Sequence, residues 1–126
     1  MAKYVDGFVL VVPKDKSEEY KKMAKEGRDA WMKHGALEYY ECRGDDLAPQ
    51  EMGDEKARAF PEMTGATNED TVWFSFIIFK SKKHRDEVNA KVIEEMSKQA
   101  EGNKDVFMPF DMKQMAYGGF QVEVEG

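Results

Sequence analysis

Apolar positions along the chain concentrate in two ten-residue runs that are apolar on both alternating faces. The first run covers residues 3–12, KYVDGFVLVV, and the second covers residues 71–80, TVWFSFIIFK. Successive side chains of a strand point to opposite faces of its sheet, so each run predicts a strand that is buried on both sides. Such strands belong in the centre of a sheet, and both faces of that sheet need cover.

Two other segments repeat apolar side chains at three- and four-residue steps, which predicts amphipathic helices. The first helix begins at Asp15, which has the spacing of a capping box with Glu18, and it ends near His34. Ser81 is the predicted N-cap of the second helix, which ends at Gly102.

The remaining strand signals complete an α+β pattern. Residues 36–43 form a more polar strand, typical of a sheet edge, and residues 115–124 form a last strand in which a glycine pair indicates a bulge or a close approach of the backbone. The order β-α-β-β-α-β predicts a ferredoxin-like fold with an antiparallel sheet in the strand order 4-1-3-2. Both two-faced strands then lie in the centre.

A single domain is expected over residues 1–126, with a long loop insertion at about residues 44–70. This segment is rich in glycine, proline and charge, a composition typical of a mobile or functional loop. We expect it to be the first part of the chain cut by limited proteolysis and to lie as a lid over a pocket. A short helix around residues 55–60 is expected within it.

The two helices can cover only one face of the sheet. The other face must meet something else, and a second copy of the chain is the simplest cover. The pattern therefore predicts a homodimer formed through the face that the helices leave uncovered.

Composition narrows the classes of function. The chain has 126 residues, a formal net charge of −6 and one cysteine, Cys42. We expect a cytoplasmic protein, because the chain lacks an export signal, a membrane-spanning run and a disulfide pair. The acidic balance disfavours nucleic acid as a partner, since that affinity depends on clustered cations.

Several segments resemble the YbaA-like bacterial family, a domain of unknown function. They are YVDGFVLVVPKDK, WMKHGALEYYEC, HRDEVNAKV, MPFD and YGGF, which together span nearly the whole chain. The resemblance implies the dimeric α/β-barrel superfamily, whose members include small monooxygenases, dehydratase-like enzymes and ligand-binding modules. It implies no established activity.

The predicted topology brings candidate functional residues to one end of the sheet. The first helix delivers His34 to the end where the second helix begins with Ser81, His84 and Arg85, and Asp6 lies near the start of the first strand there. A histidine can act as acid, base or ligand near neutral pH, and a basic helix N-terminus attracts anions. We expect ligand binding at His84, Arg85, His34 and Ser81.

Three functions fit this sequence. The leading one is binding of a small polar or anionic metabolite. A small cofactor-free or metal-assisted enzyme that uses His34, His84 or Asp6 in acid/base chemistry is an alternative, and an interaction module without pocket chemistry is another. Each histidine also has a structural interpretation at a helix end, and Asp6 needs a partner such as Arg85 or Arg43 if it is buried. No cofactor or metal is expected, because no nucleotide loop, dinucleotide fingerprint, CxxC pair or HxxxH spacing occurs.

Overall fold

The computed structural model describes residues 2–49, 51–100 and 109–126. It contains one large sheet, a small hairpin, two long helices and one short helix. The elements are β1 (Tyr4–Pro13), α1 (Ser17–Lys33), β2 (Glu38–Arg43), β3 (Glu51–Met52), β4 (Glu55–Lys56), α2 (Phe60–Thr64), β5 (Asp70–Phe79), α3 (Lys82–Ala100) and β6 (Ala116–Gln121).

The large sheet has the strand order β2-β5-β1-β6, and every neighbouring pair is antiparallel. This confirms the predicted ferredoxin-like order, with both two-faced strands in the centre. Tyr4 pairs with Phe79 at one end, called here the lower end, and Pro13 pairs with Asp70 at the upper end. The register places the start of α3 at the lower end.

One face of the sheet, the helix face, packs against α1 and α3. Its core forms two adjoining clusters, in which side chains of β1 and β5 meet the apolar stripes of the two helices. The upper cluster contains Leu10, Val12, Tyr20, Ala24 and Trp73. The lower cluster contains Ala36, Ile77, Phe79, Val88 and Val92.

The opposite face, the open face, carries the other half of the alternation. Phe74 and Phe120 lie on it with 46% and 62% of their surface exposed, and Tyr40 is also exposed. Val72 lies on the same face but is buried at the upper end, where residues 44–47 and Phe60 lie beside it. Elsewhere, no element of the described residues covers the open face.

The connection between β2 and β5 differs from the expected loop. The predicted helix over residues 55–60 was wrong, because residues 51–56 form the β3–β4 hairpin and the short helix α2 follows at Phe60–Thr64. Pro61 occupies the first turn of α2, and Gly65 ends it with φ of 77°, a backbone angle that favours glycine. This connection lies at the upper end, away from His84 and Arg85.

The helix boundaries agree with the sequence at one start and disagree at the other. The capping box predicted for Asp15 was wrong, because residues 14–16 form a 3₁₀ turn and α1 begins without a side-chain cap. Ser81 does cap α3, since its Oγ accepts a hydrogen bond from the backbone N–H of His84 at 3.1 Å. The predicted end of this helix at Gly102 lies outside the described residues.

None of the helices in the described ranges is both long enough and apolar enough to cross a membrane.

Candidate functional site

A charged pair lies at the lower end of the helix face. The side chain of Asp6, on β1, is 1% exposed and faces the first turns of α3. Arg85 Nε lies 3.1 Å from Asp6 Oδ1, and Asn89 Nδ2 donates a hydrogen bond to Asp6 Oδ2 at 3.2 Å. Asn89 Oδ1 in turn accepts a hydrogen bond from Trp31 Nε1 at 2.9 Å, so the network joins α1, α3 and β1. The partner of Asp6 is therefore Arg85, one of the two predicted.

The contact between the two charges is an ion pair without an aligned hydrogen bond. Both Asp6 Oδ1 and Arg85 Nε are buried, and neither atom has a hydrogen-bond partner among the described residues. A buried charge pair is costly unless hydrogen bonds satisfy its remaining atoms. The pair therefore lacks hydrogen bonds that its buried atoms could make, and such groups are common at functional sites.

Tyr4 and Gly119 shape the space around the guanidinium. The Arg85 guanidinium lies 4.9 Å from the centre of the Tyr4 ring, a cation–π distance, and Arg85 Nη2 donates to Tyr4 Oη at 3.3 Å. A Cβ atom at Gly119 would lie 2.5 Å from Tyr4 Oη and would also overlap Arg85. Only glycine at position 119 leaves room for the Tyr4 and Arg85 side chains as they lie against each other. The strand pairing continues through Gly118 and Gly119 without a bulge.

Tyr117, on the edge strand β6, extends the cluster. Its ring stacks on that of Phe8 with a centroid distance of 4.8 Å. Burial, and next the carboxylate of Asp6, raise the pKa of Tyr117. Burial lowers the pKa of Arg85, but Asp6 and the neighbouring groups raise it by more, so the net pKa is raised. The cluster thus holds a proton on the tyrosine and a charge on the arginine.

His84 lies beside this cluster in the first turn of α3. Its Nδ1 accepts a hydrogen bond from the backbone N–H of Lys80 at 3.0 Å, and its ring packs edge-on against Phe79. The neutral imidazole therefore carries its proton on Nε2, which can donate to a ligand. Nε2 lies 3.5 Å from the position that a Cβ atom would take at Gly35.

His34 has different partners. Its Nε2 lies 2.9 Å from Glu95 Oε2, and Lys33 Nζ lies 2.8 Å from Glu95 Oε1. Hydrogen bonds from Lys33 and then His34 lower the pKa of Glu95. These contacts tie the end of α1 to α3. His34 and His84 therefore flank the same turn at Gly35 but bind different groups, and a ligand site shared by both stays a prediction.

The described residues hold no group of three His, Cys, Asp or Glu side chains arranged to bind a metal ion. Cys42 is exposed on the open face. The lower end instead offers a guanidinium, an imidazole and phenol groups, a set suited to hydrogen bonding with carboxylate or phosphate oxygens.

A second polar cluster was not predicted from the sequence. Glu41, interpreted only as an edge-strand residue, accepts hydrogen bonds from the hydroxyl groups of Tyr20 and Tyr39 at 2.7 Å each, and from Ser75. Burial, followed by the charge of Glu41, raises the pKa of both tyrosines. A Cβ atom at Gly27 would lie 3.0 Å from Tyr39 Oη, so this glycine gives the hydroxyl its space.

Comparison with known proteins places the chain in a family. Residues 3–112 match the profile of a family described as "Protein of unknown function (DUF1428)". The chain belongs to the DUF1428 family. It is 38% identical over 119 residues to the uncharacterised protein YbaA of Escherichia coli K12, covering 94% of this chain and 95% of that protein. YbaA of Shigella flexneri matches with the same identity and coverage. The resemblance found in the sequence is confirmed.

A solved structure extends the comparison of this DUF1428 chain to its fold. A protein described as a dimeric ferredoxin-like protein, from an uncultured marine organism, superposes with a TM-score of 0.58 and covers 100% of both chains. The two sequences are 11% identical. The likeness shows the ferredoxin-like fold.

Proposed function

We propose that the protein is a homodimer that binds a small polar or anionic metabolite at the lower end of its helix face. The open face supports the dimer. It spans four strands, so it is about 19 Å wide and, below the part beside residues 44–47 and Phe60, about 25 Å long. That is roughly 500 Å² in projection, and with side-chain relief it approaches the roughly 800 Å² per partner of a standard interface. The solved structural neighbour is itself described as dimeric.

The placement of Arg85 carries the ligand proposal. Its side chain remains 19% exposed while Asp6, Asp86 and the Tyr4 ring hold the guanidinium in position, with Arg85 Nη1 2.9 Å from Asp86 Oδ1. A planar guanidinium held in advance loses little entropy when it binds a carboxylate or phosphate. The exposed lysines at positions 80, 82 and 83 have no ion pair among the described residues and add positive potential to an acidic protein.

His84 completes the proposed binding set. Its Nε2–H group can donate to a ligand, because the backbone N–H of Lys80 occupies the other ring nitrogen. Ser81 contributes by capping α3 and so fixing the turn that carries His84 and Arg85. A role for His34 in binding stays a prediction, since Glu95 already holds its ring.

The experiment is a thermal-shift titration with three probes: inorganic phosphate, succinate and 4-hydroxybenzoate. We expect at least one probe to raise the melting temperature of the unchanged protein, because binding to the folded state alone stabilises it. Arg85→Ala should abolish that increase. Arg58→Ala is the matched control, since Arg58 is a surface arginine paired only with Glu62, and it should keep the full increase.

Asp6→Asn separates binding from folding. This variant removes one of the two carboxylates paired with Arg85, while Asp86 and Tyr4 still contact the guanidinium, so the response to the effective probe should be retained or increased. The comparison uses the change in melting temperature on adding the probe, which a general loss of stability does not mimic. Lack of response to all three probes, or a full response in Arg85→Ala, would contradict the ligand proposal and favour an interaction module.

A further inference from the structure

A cavity lies at the upper end of the open face, whereas Arg85 and Asp6 lie at the lower end of the helix face. It has a volume of about 300 Å³. We call it the upper groove. Its lining comprises Cys42, Arg43, Gly44, Asp45, Asp46, Leu47, Phe60, Val72 and Phe74.

The turn after β2 forms one wall of the groove. The backbone N–H of Gly44 donates to the carbonyl of Val72 at 2.7 Å, which fixes the turn against β5. A Cβ atom at Gly44 would lie 2.6 Å from Leu47 Cδ1, so Leu47 folds back closely over the glycine. The wall is thus set by backbone bonding and close packing.

Phe60 forms another wall from the start of α2. This short helix is closed by Gly65, and Gln114 Nε2 lies 3.5 Å from the carbonyl oxygens of Thr64 and Gly65. The side chains of Phe60 and Phe74 are both exposed although they line a cavity. Two phenyl groups exposed beside one cavity leave an apolar site without an occupant in the chain itself.

The chemistry of the groove selects an uncharged ligand. Its exposed lining is almost entirely carbon. The Arg43 side chain has no ion pair or hydrogen bond within the described ranges, but Asp45 and Asp46 follow it after Gly44, so the rim carries both signs of charge. A charged ligand would lose hydration without gaining one clear partner. The volume lies at the lower end of the range for small-molecule pockets, about 300–1,000 Å³.

We infer that the upper groove binds a small neutral aromatic molecule, and that the second copy of the chain closes its open side. The inference rests on the proposed dimer, because the groove opens onto the same face that the second copy would cover. An aromatic ring suits the phenyl groups of Phe60 and Phe74, which both line the groove, since aromatic pairs favour stacked or edge-on contacts.

Cys42 allows a direct test, because it lines the groove and is the single cysteine of the chain. The rate of its reaction with N-ethylmaleimide is measured on the full chain, with the oligomeric state followed by light scattering. Benzyl alcohol should slow the reaction in a saturable way. Benzoate and benzylamine, its charged analogues, should require at least about tenfold higher concentrations, since burying an unpaired charge costs more than 1.4 kcal/mol.

Two variants of α2 sharpen the test. Phe60→Ala should weaken the protection by benzyl alcohol about tenfold or more, because the contact between the ligand and the Phe60 ring is lost. Met63→Ala is the matched control, since Met63 is exposed on the same helix and does not line the groove, and it should leave the protection unchanged.

The outcomes distinguish this inference from the proposed dimer. If the chain is a dimer and none of the three probes slows the reaction of Cys42, the ligand site alone is overturned. If the rate of that reaction falls only with protein concentration, side chains of the second copy fill the groove. Protection by benzyl alcohol in a chain that scatters as a monomer overturns closure by a second copy together with the dimer.

Discussion

Gly118 and Gly119 are adjacent in β6, but their side-chain positions face opposite sides of the sheet. A Cβ atom at Gly118 would meet only the Phe120 ring, at an ordinary distance of 3.6 Å. A Cβ atom at Gly119 would enter the crossing of Tyr4 and Arg85 beside the buried Asp6. Only the second glycine is therefore required by the packing of the candidate site.

The pair gives a prediction at the residue scale. Gly119→Ala should lower the free energy of unfolding by about 1–3 kcal/mol, the usual cost of overpacking. Gly118→Ala should change it by less than about 0.5 kcal/mol, as at a position without tight contacts. Urea denaturation of both variants measures the difference. Equal effects would show that Tyr4 and Arg85 do not need the space at Gly119.

At the scale of elements, α1 and β2 are joined by the Glu41 cluster as well as by apolar packing. Tyr20 donates to Glu41 from α1, and Ser75 donates from β5, so one carboxylate links three elements. The hydroxyl groups must keep their protons to donate. Burial, then the charge of Glu41 and these hydrogen bonds, raise the pKa values of Tyr20 and Tyr39, so folding resists their ionisation.

This cluster predicts a loss of stability at alkaline pH. The pKa of both tyrosines is raised in the folded state above the ordinary value of 10. Their contribution is complete below pH 10 and declines as the pH rises above it, because only the unfolded chain then loses these protons. In an ultraviolet titration, two of the five tyrosines should ionise only when the protein unfolds.

The control for the alkaline titration is the same measurement in urea, where all tyrosines should ionise near their ordinary pKa. Tyr20→Phe should reduce the slope of stability against pH above pH 10, since the residue can no longer ionise in the unfolded chain. Ionisation of all five tyrosines before unfolding would contradict the cluster.

The elements differ in how far the sequence predicts them. The two-faced strands β1 and β5 were predictable because a period of two over ten residues fits a strand and not a helix. The cap at Ser81 was predictable because it depends only on residues adjacent in the chain. The β3–β4 hairpin was missed because two-residue strands carry almost no pattern. In the site, the topology and the cost of burying an unpaired Asp6 indicated Arg85 as its partner. Asn89, Tyr117 and Glu41 were not predicted, since nothing in the local sequence pattern marks their side chains as buried or paired.

At the scale of the whole molecule, the two faces of the sheet differ in what covers them. The helix face is closed by α1 and α3 and holds the Asp6–Arg85 pair at its lower end. The open face exposes Phe74, Phe120 and Tyr40, and residues 44–47 and Phe60 lie at its upper end. Exposed aromatic groups on a face of this size are typical of an interface. The proposed dimer would bury them and enclose the upper groove.

Light scattering at micromolar concentration tests the open-face interface most directly, with two variants that introduce the same charge at exposed apolar positions. The unchanged chain should scatter with twice the chain mass, and Phe74→Glu should scatter with the mass of one chain, because an unpaired carboxylate would be buried between the copies. Ile93→Glu, at a position 62% exposed on α3, should remain a dimer. A monomeric unchanged chain, or a dimer that survives Phe74→Glu but not Ile93→Glu, would contradict the open-face interface.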